Sequence, residues 1–142
     1  MNNPAELKFE SIRVGDRASF EGAVTDDMVR EFAALSGDHS PIHTDDEYAA
    51  STAVGRRIAH GMIAGMFFSR LIGMYLPGKY ALYLSQSMTF HKPIFPGTDV
   101  VVSGEVTDRT DALQVIIIST EVRAKSDNAL FVSGMARVRV LQ

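Results

Sequence analysis

The residues on either side of Gly78 follow two different periodicities, and that break limits what the chain can become. Before it, Gly61 to Leu76 is almost unbroken apolar sequence, closed by Pro77-Gly78. Met62, Ile63, Met66, Phe67, Ile72, Met74 and Tyr75 fall nearly all round a helix, the pattern of a helix buried on most sides. The stretch is shorter than the roughly 20 residues of a membrane span and carries Ser69 and Arg70. It therefore predicts a buried helix from near His60 to Leu76. Gly61, Ala64, Gly65 and Gly73 would let other backbone approach it. After Gly78 the period becomes two, over Tyr80–Phe90, Val100–Val106, Leu113–Val122 and Leu130–Val140.

Asp108-Arg109-Thr110-Asp111 and Ser126-Asp127-Asn128 read as hairpin turns between those strands. Strands joined by such short turns are antiparallel, because a parallel crossover needs about a dozen residues or more. One face of the sheet needs an apolar cover, and the helix supplies it. The expected fold is α+β, an antiparallel sheet wrapped around a long central helix, the hot-dog arrangement. Upstream, Arg17–Val24 reads as a strand. Thr25 reads as the N-cap of a helix running to Ser36, with Asp26 and Asp27 in its first turn and Gly37 after its end. Pro41 biases the segment after Gly37 away from helix. A short helix follows from about Asp45 to Ala53.

No repeat, linker or low-complexity run divides the 142 residues, so residues 1–142 are expected to form a single domain. Fourteen basic and 17 acidic residues give a net charge of −3, which argues against a nucleic-acid binder. The absence of cysteine excludes disulfides, thiolate metal sites and cysteine nucleophiles, and is compatible with a reducing compartment. The first residues lack the basic and apolar regions of a secretory signal. A cytoplasmic protein with no membrane partner is expected.

Four histidines are present, and two of them, His39 and His43, share a loop with Asp38, Asp45 and Asp46. Asp38 and His43 bracket Pro41, so a carboxylate and an imidazole face one small region. They either hold a water between them or serve the loop, Asp38 by closing the turn and His43 by satisfying backbone. Metal ligation through His43 and Asp45, joined by His60 or His91, has no spacing that demands it, and no metal is expected. His60-Gly61 opens the apolar helix. An amide there suits an oxygen that gains negative charge, although close packing would equally explain the glycine. Ser69 lies on the same helix, where a buried hydroxyl needs a partner. No G-x-S-x-G elbow or phosphate-binding glycine loop occurs.

The run Phe32-Ala33-Ala34-Leu35-Ser36-Gly37-Asp38-His39-Ser40-Pro41-Ile42-His43, followed after five residues by Ala49, resembles the hydratase-2 signature of MaoC-like dehydratases and (R)-specific enoyl-CoA hydratases. His60-Gly61-Met62 and Phe95-Pro96-Gly97-Thr98-Asp99 extend the likeness over nearly the whole chain. The resemblance implies reversible hydration of a trans-2-enoyl-CoA to the (R)-3-hydroxyacyl-CoA, in fatty-acid or polyhydroxyalkanoate metabolism. It implies Asp38 and His43 as the catalytic pair, Gly61 N–H on the thioester carbonyl and Ser69 beside the aspartate. No cofactor is implied. Ser40 stands where the family usually has Asn, so it must brace the loop differently. Met62 and Ile72 are candidates for the acyl site, and Arg56 and Arg57 for the coenzyme A phosphates. A homodimer is also implied. A hot-dog thioesterase and a non-catalytic acyl-CoA binding module are the competing readings. The first is disfavoured because no Asp or Glu lies between His60 and Leu76.

Overall fold

The computed structural model describes residues 3–142. A short 3-10 turn at Phe9–Ser11 leads to strand β1 (Arg17–Val24) and helix α1 (Asp26–Ser36). Thr25 caps α1 by accepting from Met28 N–H at 3.1 Å. Gly37 ends it at φ 79°, a left-handed conformation that suits glycine. Helices α2 (Pro41–Thr44) and α3 (Asp46–Ser51) follow, then α4 (Ile63–Arg70), which continues as a π-helical segment over Leu71–Tyr75. The remaining chain forms β2 (Ala81–Gln86), β3 (Thr89–Phe90), β4 (Thr98–Thr110), β5 (Val115–Ala124) and β6 (Leu130–Val140).

The strands make one antiparallel sheet in the order β1-β4-β5-β6-β2, with β3 also on β6. Its inner face alternates as the period-two pattern requires, with Val100, Val102 and Val106 of β4 and Ile116, Ile118 and Val122 of β5 buried. The core has two halves. Ile63, Ala64, Phe67, Phe68 and Leu71 pack on Phe20, Val24, Val100, Val102, Val122 and Val132. Ile72 and Leu76 pack on Phe9, Ile12, Val106, Ile116, Ile118 and Val138. The α+β hot-dog arrangement is thereby observed, with α4 as the central helix. No helix among the described residues is long and apolar enough to cross a membrane.

Four local expectations need correction. Pro41 begins α2 rather than excluding helix, because proline at the first helical position has its φ preset and needs no N–H bond. The helical run begins at Ile63, after a turn in which Ile63 N–H and Ala64 N–H donate to His60 O and Gly61 O. The turn after β4 lies at Asp111–Gln114, because a register shift between Val106 and Asp108 lets residues 108–110 keep pairing with β5. Finally, α4 is not buried all round: Met62, Met66, Ser69 and Arg70 are exposed.

Two glycines permit close contacts, one between helix and sheet and one within the sheet. A Cβ on Gly104 would meet Leu71 Cδ2 at 2.9 Å, so the helix sits directly on β4. A Cβ on Gly134 would come within 1.8 Å of Ser87 O, at the crossing between β2 and β3. Gly134→Ala is expected to destabilise the fold by at least about 2 kcal/mol, because backbone rather than a flexible side chain must move. Gly22→Ala is the control, since its Cβ would meet Phe67 only at 3.6 Å. Urea unfolding of both variants checks this. Equal midpoints would contradict it.

Candidate active site

The segment after α1 is fixed by its own polar groups. Asp38 N–H donates to Ser36 Oγ at 3.1 Å, and Ser40 N–H donates to Asp38 Oδ1 at 3.1 Å. The turn leaves Asp38 Oδ2 without a hydrogen bond among the described residues, on a half-exposed side chain. His43 N–H donates to Ser40 O, and the α2 turn directs the His43 ring back across the loop. His43 Nδ1 lies 2.8 Å from Ile58 O. A carbonyl only accepts, so Nδ1 carries the proton and Nε2 is an acceptor in the neutral ring.

His60 completes the group. Its Nε2 lies 2.9 Å from Asp38 O and 4.0 Å from Asp38 Oδ2, and its ring stacks on that of His43 with centroids 4.0 Å apart. One ligating atom from each of Asp38, His43 and His60 lies within 4.8 Å of the others. These donor types can ligate metals, but His43 Nδ1 and His60 Nε2 are each committed to a carbonyl. Asp38 Oδ2 and His43 Nε2 remain without a hydrogen bond among the described residues, on side chains that this cluster brings together.

Gly61 follows His60 directly and stands two residues ahead of α4. Its N–H donates to no group among the described residues. The Phe90 ring covers its Cα so closely that a Cβ would lie 2.9 Å from a ring carbon. Close packing is thus one reason for a glycine here, and its N–H, next to the His60 that contacts Asp38, is left without a partner among the described residues.

The other residues singled out from the sequence are placed differently. Arg57 Nε donates to Asp46 Oδ1 at 2.6 Å, Nη2 to Asp26 Oδ1 at 2.9 Å, and Nη1 to His43 O at 3.3 Å. Hydrogen bonds with Asp46 and then Asp26 hold its guanidinium even more firmly protonated than usual. It is a brace on the His43 loop, with its charge already matched. Arg56 is exposed, its guanidinium 3.6 Å from the centroid of the Phe95 ring. Met62 is exposed near Gly61, whereas Ile72 is only 1% exposed and belongs to the second half of the core. Ser69 is exposed, contrary to the buried hydroxyl expected, and makes no hydrogen bond among the described residues. Ser40 contributes through its backbone: its side chain caps nothing, and its carbonyl accepts from His43 N–H and Thr44 Oγ1. The brace at Arg57 and the double contact of His60 were not read from the sequence. Both join residues distant in the chain, and neither belongs to the motif around Asp38.

Arg57→Ala is expected to destabilise the protein by only about 1 kcal/mol, because its carboxylate partners are largely exposed. It should accelerate hydrogen exchange locally, at the amides of His43 to Asp45. Unchanged exchange there would show that the brace is dispensable.

Comparison with known proteins follows the same outline. The family model described as "MaoC like domain" matches residues 11–128. The (R)-specific enoyl-CoA hydratase of Aeromonas caviae is 38% identical over 134 residues, covering 94% of this chain and 99% of that protein. The 3-hydroxybutyryl-CoA dehydratase of Methylorubrum extorquens is 37% identical, covering 72% of this chain and 65% of that protein. Among solved structures, the (R)-hydratase of A. caviae involved in PHA biosynthesis superposes with a TM-score of 0.88 at 38% identity, over 92% of this chain and 98% of that one. The unliganded R-hydratase of Pseudomonas aeruginosa gives 0.89 at 32% identity, over 95% and 86%. With the family model covering most of its length and these relatives aligned along it, the chain belongs to the MaoC-like domain family.

Proposed function

We propose that this protein hydrates trans-2-enoyl-CoA to (R)-3-hydroxyacyl-CoA, with Asp38 and His43 as the acid–base pair. The observation that carries this reading is the clustering of Asp38, His43 and His60, which leaves Asp38 Oδ2 and His43 Nε2 without hydrogen bonds among the described residues and puts the free Gly61 N–H next to His60 in the chain. The relatives named (R)-specific enoyl-CoA hydratase support the reaction and its stereochemistry.

The chemistry follows from those three groups. A water donates its two hydrogens to Asp38 and His43. One of the pair takes a proton as the water oxygen bonds to C3 of the enoyl thioester. The C2–C3 π electrons move toward the thioester, whose oxygen gains negative charge. Gly61 N–H donates to that oxygen and stabilises the enolate. The enolate then takes a proton at C2 from the acid–base pair. Reversal of these steps is dehydration. The thioester supplies the activation, so the mechanism needs no organic cofactor. Arg56, exposed and held against Phe95, is the better placed of the two arginines to meet a coenzyme A phosphate, since Arg57 is already paired. A charged acyl-CoA substrate also favours the cytoplasm as the working compartment.

A homodimer belongs to the same proposal. The edge strand β2 is exposed on both faces, with Leu82, Tyr83 and Leu84 accessible. Phe90 on β3, Met66 on α4, Met135 on β6 and Met62 just ahead of α4 are exposed apolar side chains as well. A long unpaired apolar edge is normally covered, and a second copy pairing edge to edge would cover it. Leu84→Asp should then give monomers in sedimentation velocity, while the parent protein sediments as a dimer. A monomeric parent would remove this part of the proposal.

Crotonyl-CoA tests the reaction directly, by loss of the enoyl absorbance with free thiol followed in parallel. Coupling to an (S)-specific 3-hydroxyacyl-CoA dehydrogenase should produce no NADH. Thiol release without hydration would make the protein a thioesterase. Asp38→Asn and His43→Ala should each lower kcat by about 10²- to 10⁴-fold with the fold intact. Because both groups act on one water, the double variant should be scarcely slower than the worse single variant. Fully multiplicative losses would mean that they do not share it.

A further inference from the structure

We propose that His60 is a positioning residue for the acid–base pair, holding Asp38 through its backbone carbonyl and His43 through the face of its ring. The proposal rests on the reading of Asp38 and His43 as that pair. His60 itself is only 3% exposed and lies outside the motif that contains them.

Its hydrogen bonding fixes the place of one proton. Nε2 is 2.9 Å from Asp38 O, so the ring donates there, and in the neutral ring the lone pair is on Nδ1. Nδ1 is buried and has no hydrogen-bond partner among the described residues. A buried acceptor without a partner is destabilising, so packing alone gives no reason for an imidazole here. A leucine or phenylalanine would fill the same space without that penalty. What an apolar residue lacks is the Nε2–H donor.

The ring's other contacts extend this role. It packs against Phe32, with centroids 4.8 Å apart, and against His43, with centroids 4.0 Å apart and planes 30° from parallel. Its own carbonyl accepts from Ile63 N–H, which ties it to the start of α4. One buried side chain therefore links the central helix to both reacting groups. With Nδ1–H on Ile58 O, the His43 ring is held at one edge and on one face. Asp38 is held at its N–H, its Oδ1 and its carbonyl, which leaves Oδ2 to the water. A displacement of about 1 Å at a reacting group can lower the rate about 100-fold.

Three substitutions separate the two contacts. His60→Phe keeps a flat ring against His43 but removes the donor. His60→Gln offers an amide N–H to Asp38 O but removes the stack. His60→Leu removes both. With crotonyl-CoA, His60→Phe and His60→Gln should each lower kcat about tenfold and His60→Leu about 100-fold. KM should stay within about threefold in all three, since none removes a substrate contact. Nitrogen-15 spectra of the parent should show His60 protonated at Nε2 and His43 at Nδ1. His43 should lose that single tautomer in His60→Gln. If His60→Leu does not fold, the Phe and Gln variants carry the same test.

The proposal is overturned if folded His60 variants keep kcat within about threefold of the parent and only melt earlier. It is also overturned if His60 carries its proton on Nδ1. Asp38→Asn distinguishes this failure from that of the underlying reading. If Asp38→Asn is inactive while the His60 variants are fully active, the pair stands and the positioning role falls. If Asp38→Asn keeps the parent kcat, the pair itself falls.

Discussion

The seat of α4 against the inner face of the sheet is the constraint on which the rest of the molecule depends. Phe68 and Leu71 are fully buried there, and truncating either to Ala would cost about 2–5 kcal/mol. Gly104 permits the contact by leaving room for Leu71. Once the helix is fixed, the residues that precede it are fixed too. The turn joining His60 and Gly61 to α4 then brings one imidazole and one free amide to the loop after α1. The proposed chemistry thus sits where a rigid helix start meets a braced loop, the kind of support that keeps a site in a single geometry.

Much of this arrangement was legible in the sequence because it depends on periodicity and local capping. The strand Arg17–Val24 and the helix from Asp26 to Ser36 occur with the boundaries their capping residues predict. The change of period after Gly78 correctly announced an antiparallel sheet around a helix. The misreadings arose where tertiary pairing overrode a local signal. Asp108 to Thr110 looks like a turn, yet a register shift recruits it into β4. The exposed side of α4 carries Met66 as well as Ser69 and Arg70, and the exposed Met62 stands just ahead of it. Periodicity cannot tell a face turned to the core from an apolar face turned outward.

The site divides along the same line. Asp38, His43 and Gly61 lie in short segments whose residue types announce acid–base and amide chemistry. Arg57 and His60 act through contacts made only after folding, with Asp26, Asp46 and His43 for one and with Asp38, His43 and Phe32 for the other. Ile72 shows the opposite error. Its place on an apolar helix suggested a substrate wall, but the helix turns it toward Phe9 and Ile12.

Ser40 shows how such a site tolerates a change in its motif. The similar family usually has Asn at this position, a side chain with more hydrogen-bonding capacity. Here the work falls on the backbone. Ser40 N–H holds Asp38 Oδ1, Ser40 O receives His43 N–H, and Thr44 Oγ1 adds a second donor to the same carbonyl. Pro41, at the first position of α2, fixes the direction in which the chain leaves Ser40. The distance between Asp38 and His43 is therefore set by main-chain geometry and by the two carbonyl contacts of His43 and His60, neither of which involves the Ser40 hydroxyl. A side chain at position 40 can vary as long as its backbone keeps the turn, and that leaves the proposed acid–base pair intact in a chain that departs from the motif between them.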